Sequence, residues 1–238
     1  MKKHLLLLAL AAGLFVTAAA QKPFQGTVKS KISIEGTTDP NILANVPESS
    51  ETIILGNKSK TVYELGGGGA SQTIIQDGDF KIMYVIIEVP GMGKYYIKTT
   101  KEDFEKKHVL FKYDFSYEEE YKTIVGYNCQ KVVITTTNLE DDEMETVIVY
   151  VTKDPAFSDG GNFFETPGLN GYPMYSESKK TLDDGSEITI IEETTELIPN
   201  KKLKVLDFYL PSDAKDLKQD KDAQKMFGIN LDEEQEEE

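Results

Sequence analysis

The side chains able to do chemistry are few, and their spacing argues against most chemistries. Cys129 is the single cysteine, and His4 and His108 are the two histidines. His108 follows Lys106 and Lys107 where a strand is expected to begin, with no nucleophile marked out to partner it. It reads as an exposed single histidine. A zinc site gathers several His and Cys ligands, so no metal is expected, and no cofactor either. Glu118-Glu119-Glu120 and Glu192-Glu193 fall at strand ends or on alternating faces, and no D-x-D-x-D-G calcium loop occurs. A carboxylate pair for glycoside hydrolysis is a spatial arrangement that spacing alone does not exclude. The chain, however, has no Trp on which a sugar would stack. Gly66-Gly67-Gly68-Gly69 and Gly91-Met92-Gly93-Lys94 lack the Lys-Ser/Thr pair and the following helix of a phosphate loop. Both read as hairpin loops. The chain is expected not to be an enzyme.

The elements that position these residues read as strands. From Phe24 the even positions run Phe24, Gly26, Val28, Ser30, Ile32 and Ile34, while Gln25, Thr27, Lys29, Lys31 and Ser33 between them are polar. That is a strand with one dry face and one wet face. Val109 to Tyr117 repeats the pattern. Further strands are predicted over 51–55, 59–65, 80–89, 94–99, 123–137, 145–153, 174–182, 187–197 and 203–210. Gly56-Asn57, Asp141-Asp142-Glu143, Asp183-Asp184-Gly185 and Pro199-Asn200 supply the turn chemistry of antiparallel hairpins. No sustained 3.6-residue period appears in the body. The pattern predicts one meander of about ten antiparallel strands. Residues 39–50 read as a short helix or loop, 154–173 as a crossing loop, and Ser212 as the N-cap of a helix entry.

Lys2, Lys3 and His4, the apolar run Leu5–Val16 and Ala18-Ala19-Ala20 read as a cleaved signal peptide, with cleavage between Ala20 and Gln21. The apolar run is too short for a membrane span, which needs roughly 20 residues, and no Cys stands at the cleavage site for lipid attachment. A periplasmic or secreted protein is expected, not a lipoprotein, with no membrane span in the mature chain. All 26 basic residues are Lys, against 41 acids. Removing residues 1–20 takes Lys2 and Lys3 and no acid, leaving 24 basic against 41 acidic side chains, a charge of −17. Nucleic acid is excluded as a partner, because counterion release needs a clustered cationic surface. Asp232–Glu238 holds six acids in seven residues and reads as a solvated tail. The predicted organisation is a signal peptide over 1–20, a β domain over 21–217 and an acidic, largely disordered tail over 218–238.

Two predicted strands depart from simple alternation. In Phe80–Val89 the set Met83, Val85, Ile87 is as apolar as Ile82, Tyr84, Ile86, and Glu145–Lys153 is also apolar on both sides. An antiparallel strand of that kind must be covered on both faces. The cover is either a packed helix or loop, or an internal cavity holding an apolar ligand. Candidate lining residues are Met83, Val85, Ile87, Phe111, Tyr113 and Phe115.

The stretch Val125-Gly126-Tyr127-Asn128-Cys129-Gln130-Lys131-Val132, the later Val149-Tyr150-Val151-Thr152 and Pro167-Gly168-Leu169-Asn170-Gly171-Tyr172-Pro173-Met174, and the closing Phe208-Tyr209-Leu210-Pro211 carry a resemblance. Together they resemble exported bacterial proteins similar to the outer-membrane lipoprotein carriers and to GLPGLI-type periplasmic proteins. The resemblance implies a mainly β fold, a single strongly curved antiparallel sheet forming an incomplete barrel, with a short helix and loop as lid. It also implies acyl chains as ligands, although a shared fold does not carry activity. The expected function is an exported, non-enzymatic binding protein for a lipid, acyl chain or other apolar ligand. The alternative is a structural or interaction module of the cell envelope, with a filled core and a protein partner.

Overall fold

The computed structural model describes residues 22–65, 69–157, 166–182 and 184–228. The signal peptide with its Ala20–Gln21 junction, residues Gly66 to Gly68 and the Asp232–Glu238 acid run lie outside them. Among the described residues twelve strands form one sheet. They are β1 (Gln25–Glu35), β2 (Ser49–Leu55), β3 (Lys58–Glu64), β4 (Ser71–Asp77), β5 (Ile82–Val89), β6 (Gly93–Thr99), β7 (Phe111–Ile124), β8 (Tyr127–Asn138), β9 (Met144–Thr152), β10 (Tyr172–Thr181), β11 (Glu187–Pro199) and β12 (Lys215–Asp216). Their spatial order is β12-β6-β5-β4-β3-β2-β1-β11-β10-β9-β8-β7. Two hairpin meanders, β1 to β6 and β7 to β11, are thus joined side by side through the antiparallel β1–β11 ladder. The sheet is not closed. It is also mixed, because β12 runs parallel to β6. The all-antiparallel expectation fails there because the chain returns along an edge and does not enter by a hairpin.

Several predicted elements change. Ser71–Asp77 is a strand that the pattern did not mark, since its alternation mixes Gln and Thr with Ile. The predicted strand over 123–137 is split, because Val125 (φ 42°) and Gly126 (φ 87°) turn the chain between β7 and β8. Helix α1 (Pro40–Asn45) fills the first ambiguous stretch, capped by Asp39. Helix α2 (Lys101–His108) was not predicted. Its signal is a capping box: Asp103 accepts from the Thr100 amide at 2.7 Å and hydroxyl at 2.8 Å, while the Asp103 amide donates to Thr100 Oγ1. The stretch over 203–210 is not a strand. It holds a short 3-10 helix, Val205–Phe208, whose Phe208 packs with Ile75 and Ile86, with Ile53, Leu55, Tyr84, Tyr96 and Leu210 around them. That layer covers one face of β2 and β4 to β6.

The boundary expected after Leu217 also moves. Leu217 is fully buried, with Tyr95 and Ala223, and with Ile97 and Phe227 against them. Ser212 caps no helix. Instead Asp216 caps a 3-10 turn, Leu217–Gln219, and Asp220 caps helix α3 (Lys221–Met226). Gln224, itself buried, donates to the carbonyls of Leu217 and Lys218. The folded body therefore continues through residue 228, because apolar positions 217, 223 and 227 reach the β6 face although acids surround them in sequence. Among the described residues no helix is long and apolar enough to cross a membrane.

Candidate functional site

One face of the sheet gathers an open cavity of about 410 Å³. Its lining follows the two-residue period on β1 to β3, β7 to β9 and β11, so those side chains stand on a single face, whereas β10 contributes the consecutive run Tyr172–Ser176 across its register shift between Pro173 and Tyr175. Val28 and Ser30 come from β1, Thr52 and Ile54 from β2, Ser59, Thr61 and Tyr63 from β3, and Gln76 from β4. Phe111 and Tyr113 come from β7, Ile134 and Thr136 from β8, Glu145, Val147 and Val149 from β9, Met174 and Ser176 from β10, and Glu192 and Thr194 from β11. The segment after residue 165 adds Thr166 and Leu169.

The lining divides by chemistry. Toward β7 to β10 it is mostly aliphatic and aromatic, with Thr136, Glu145 and Ser176 the polar exceptions on those strands. Val132, Ile134, Val149 and Val151 are buried together, with Phe115, Val147 and Leu169 packed on them. Leu169 belongs to a loop tied across this face, where the Asn170 amide donates to the Tyr117 hydroxyl at 2.8 Å. Toward β1 to β4 and β11 the lining is hydroxyl-rich. Ser50 donates to Glu192 at 2.6 Å, Thr52 and Thr61 share a hydrogen bond of 2.9 Å, and Ser59 donates to Gln76 at 3.4 Å. Ser30, Ser50, Ser59, Gln76 and Thr194 are all buried, and such polar groups are tolerated there because they find partners. The cavity is amphipathic.

The six candidate lining residues all stand on the cavity face, but not together. Phe111 and Tyr113 line the cavity, and burial raises the Tyr113 phenol above its ordinary range. Phe115 packs just beneath, on the Val132 cluster. Met83, Val85 and Ile87 pair with Gln76, Ile74 and Gln72, one strand beyond the lining. The hydroxyl wall was missed in sequence. Its signal was Ser30, a polar residue on the dry parity of β1 between Val28 and Ile32.

His108 is not an exposed residue at a strand start. It closes α2, half buried, with its ring 3.9 Å from Phe104 and 5.3 Å from Tyr113. Burial holds its pKa below the ordinary histidine value. Cys129 has no exposed surface and packs with Ile124, Phe157 and Met174. Desolvation there pushes its thiol up to about 11, which suppresses the nucleophilic thiolate. Native protein at pH 8 is expected to leave Cys129 unmodified by a disulfide-exchange reagent such as DTNB, and unfolded protein to release one equivalent. Rapid native modification would contradict the burial.

The opposite face of β7 to β11 carries an ion-pair network. Lys131 bridges Glu118 and Glu120 at 3.1 and 3.0 Å, which raises its pKa to about 12, and the Tyr150 hydroxyl also donates to Glu120. Lys122 pairs with Glu193 and lies 4.3 Å from the Tyr175 ring centre. Among the described residues no group of three or more His, Cys, Asp or Glu is arranged to hold a metal.

Comparison with known proteins adds little. No protein-family model matches the chain, and no curated protein matches it. A solved structure titled "Structure of PNGF-II in C2 space group" aligns with a TM-score of 0.47 at 14% identity, over 81% of this chain and 31% of that one. The chain thus spans about a third of that protein's length.

Proposed function

We propose that this protein is an exported, non-enzymatic binding protein whose sheet curls into an open half-barrel and holds an apolar or amphipathic molecule in the cavity. The observation that carries the reading is a cavity lined both by Gln76 of β4 and by Phe111 of β7, strands eight positions apart in the sheet. In a flat sheet those strands would stand about 38 Å from each other.

Chain length supports the same curvature. β6 and β7 are ten positions apart, about 48 Å in a flat sheet. Only residues 100–110 join them, and eight of these form α2. A helix of that length spans about 12 Å and the five backbone links flanking it between Thr99 and Phe111 about 3.5 Å each, for a reach of about 30 Å. The two sides of the sheet are therefore drawn together around the cavity face. The loop carrying Leu169 serves as a lid over the apolar end, and the cavity volume falls within the range of about 300–1,000 Å³ usual for small-molecule sites. Export rests on the leader over 1–20, and the resemblance to lipoprotein carriers points to an acyl chain.

The test is a titration with the neutral solvatochromic dye Nile red. One equivalent is expected to bind with a blue-shifted emission. Ser176→Trp, which fills the cavity from β10, is expected to weaken binding at least about tenfold, a loss of about 1.4 kcal/mol. Thr135→Trp, on the opposite face of β8, is expected to leave it unchanged. Equal binding by both folded variants overturns the reading and favours a structural module with a filled core.

A further inference from the structure

The cavity lining contains two carboxylate side chains, Glu192 and Glu145, and among the described residues no Lys. This is not chance composition, since the strands that build the cavity carry many lysines. Lys29 and Lys31 of β1, Lys60 of β3, Lys112 of β7 and Lys131 of β8 all stand on the other parity, facing away. Lys180 shares the cavity parity but is exposed near the end of β10, outside the lining. Lys153 reaches this face beyond the apolar end, where it donates to Gln130 at 2.8 Å and lies 4.7 Å from the Tyr117 ring centre.

Glu192 sits within the hydroxyl wall, half buried beside buried Thr194. One of its oxygens accepts from Ser50 at 2.6 Å, and it pairs with no cation among the described residues. Glu145 stands exposed at the rim on β9. A ligand with its chain against Val147, Val149 and Leu169 would therefore lay its head among hydroxyls and a carboxylate. An anionic head would meet repulsion there with no lysine to offset it, in a site screened less than open surface.

We infer that the cavity takes a neutral or cationic amphiphile, a chain ending in hydroxyl or ammonium donors, and discriminates against anionic ones such as free fatty acids. The inference rests on the reading of the cavity as a ligand site and goes further by naming the head group. Hydroxyl or ammonium donors would bind the second oxygen of Glu192 and the acceptor oxygens of Ser30, Thr52 and Thr61.

The test compares decan-1-ol, decylammonium and decanoate by calorimetry at pH 7.5 in 150 mM salt, each below its micellar concentration, on the full mature chain. Decanol and decylammonium are expected to bind, with decanoate weaker by about tenfold or more, as expected for like charges a few ångströms apart at intermediate dielectric. The Glu192→Gln, Glu145→Gln double variant is expected to restore most of the decanoate affinity and so close most of the gap to decanol. Decylammonium binding that survives Ser176→Trp would be surface association and count against the inference. Decanoate binding as tightly as decanol, or a gap that the double variant leaves in place, overturns the inference while the cavity reading stands. Failure of all three to bind overturns both.

Discussion

Truncating Leu217 to alanine is expected to destabilise the protein by about 2–5 kcal/mol, the range for removing a fully buried leucine side chain. Leu217 has no exposed surface, and Tyr95, Ala223, Ile97 and Phe227 surround it. Its carbonyl also accepts from Gln224, so the cavity left by truncation lies under the contact that seats α3. The site cannot collapse easily, because the Tyr95 ring is fixed on one side by β6 and packed edge-on by Phe227. Urea unfolding checks the size of the effect. Limited trypsin digestion checks its location: Lys218, Lys221 and Lys225 are expected to be cut slowly in the native protein and quickly in the variant. A loss below about 0.5 kcal/mol, the level of an ordinary surface substitution, would mean that the segment after residue 214 does not dock on β6.

Replacing Gly171 with alanine is the second large effect, expected at about 2–4 kcal/mol from backbone strain together with overpacking. Gly171 has φ +122°, and an added Cβ would sit 2.9 Å from the Thr152 carbonyl oxygen and 3.0 Å from Val151 Cβ and Cγ2. Neither neighbour can yield. Thr152 and Val151 are buried in β9 and paired to both β8 and β10. Gly126, at φ +87° with nothing within 4 Å of its added Cβ, is the control, where alanine pays only the left-handed penalty of about 1–2 kcal/mol. Because Gly171 ends the loop that carries Leu169 over the cavity, Gly171→Ala is also expected to weaken Nile red binding, whereas Gly126→Ala is not. Equal destabilisation by the two, read from urea midpoints at constant m-value, would remove the steric part of the account.

Strand character was legible wherever the alternation was clean. Val28 and Ile32 were assigned to the dry face of β1 and are buried, and Phe111, Tyr113 and Phe115 share one face of β7. Legibility failed where local pattern and long-range contact disagree. Gln72, Ile74 and Gln76 lie on one face of β4, and a glutamine on a buried face reads as wet until Ser59 appears opposite Gln76. Val205, Leu206 and Phe208 have the composition of a strand but form a 3-10 cap, because the sheet face at Ile75 and Ile86 needs cover more than another ladder. Positive φ at Val125, a β-branched residue, is unusual, and it concealed the β7–β8 turn inside what reads as one strand.

By itself the sequence determined the mainly β character, several of the hairpins and, where the alternation was clean, as in β1 and the first half of β7, the face each strand residue occupies. All three follow from the period of two and from turn residues, which act over a few positions. Only the tertiary structure decided that β1 pairs with β11, that α2 bridges the two sides of the sheet, and that Glu192 from late in the chain meets Ser50 from early in it. The β1–β11 pairing and the Ser50–Glu192 contact join residues more than a hundred positions apart. The chemistry of the cavity exists only after that register is chosen, since each strand alone contributes only one to three of its polar groups.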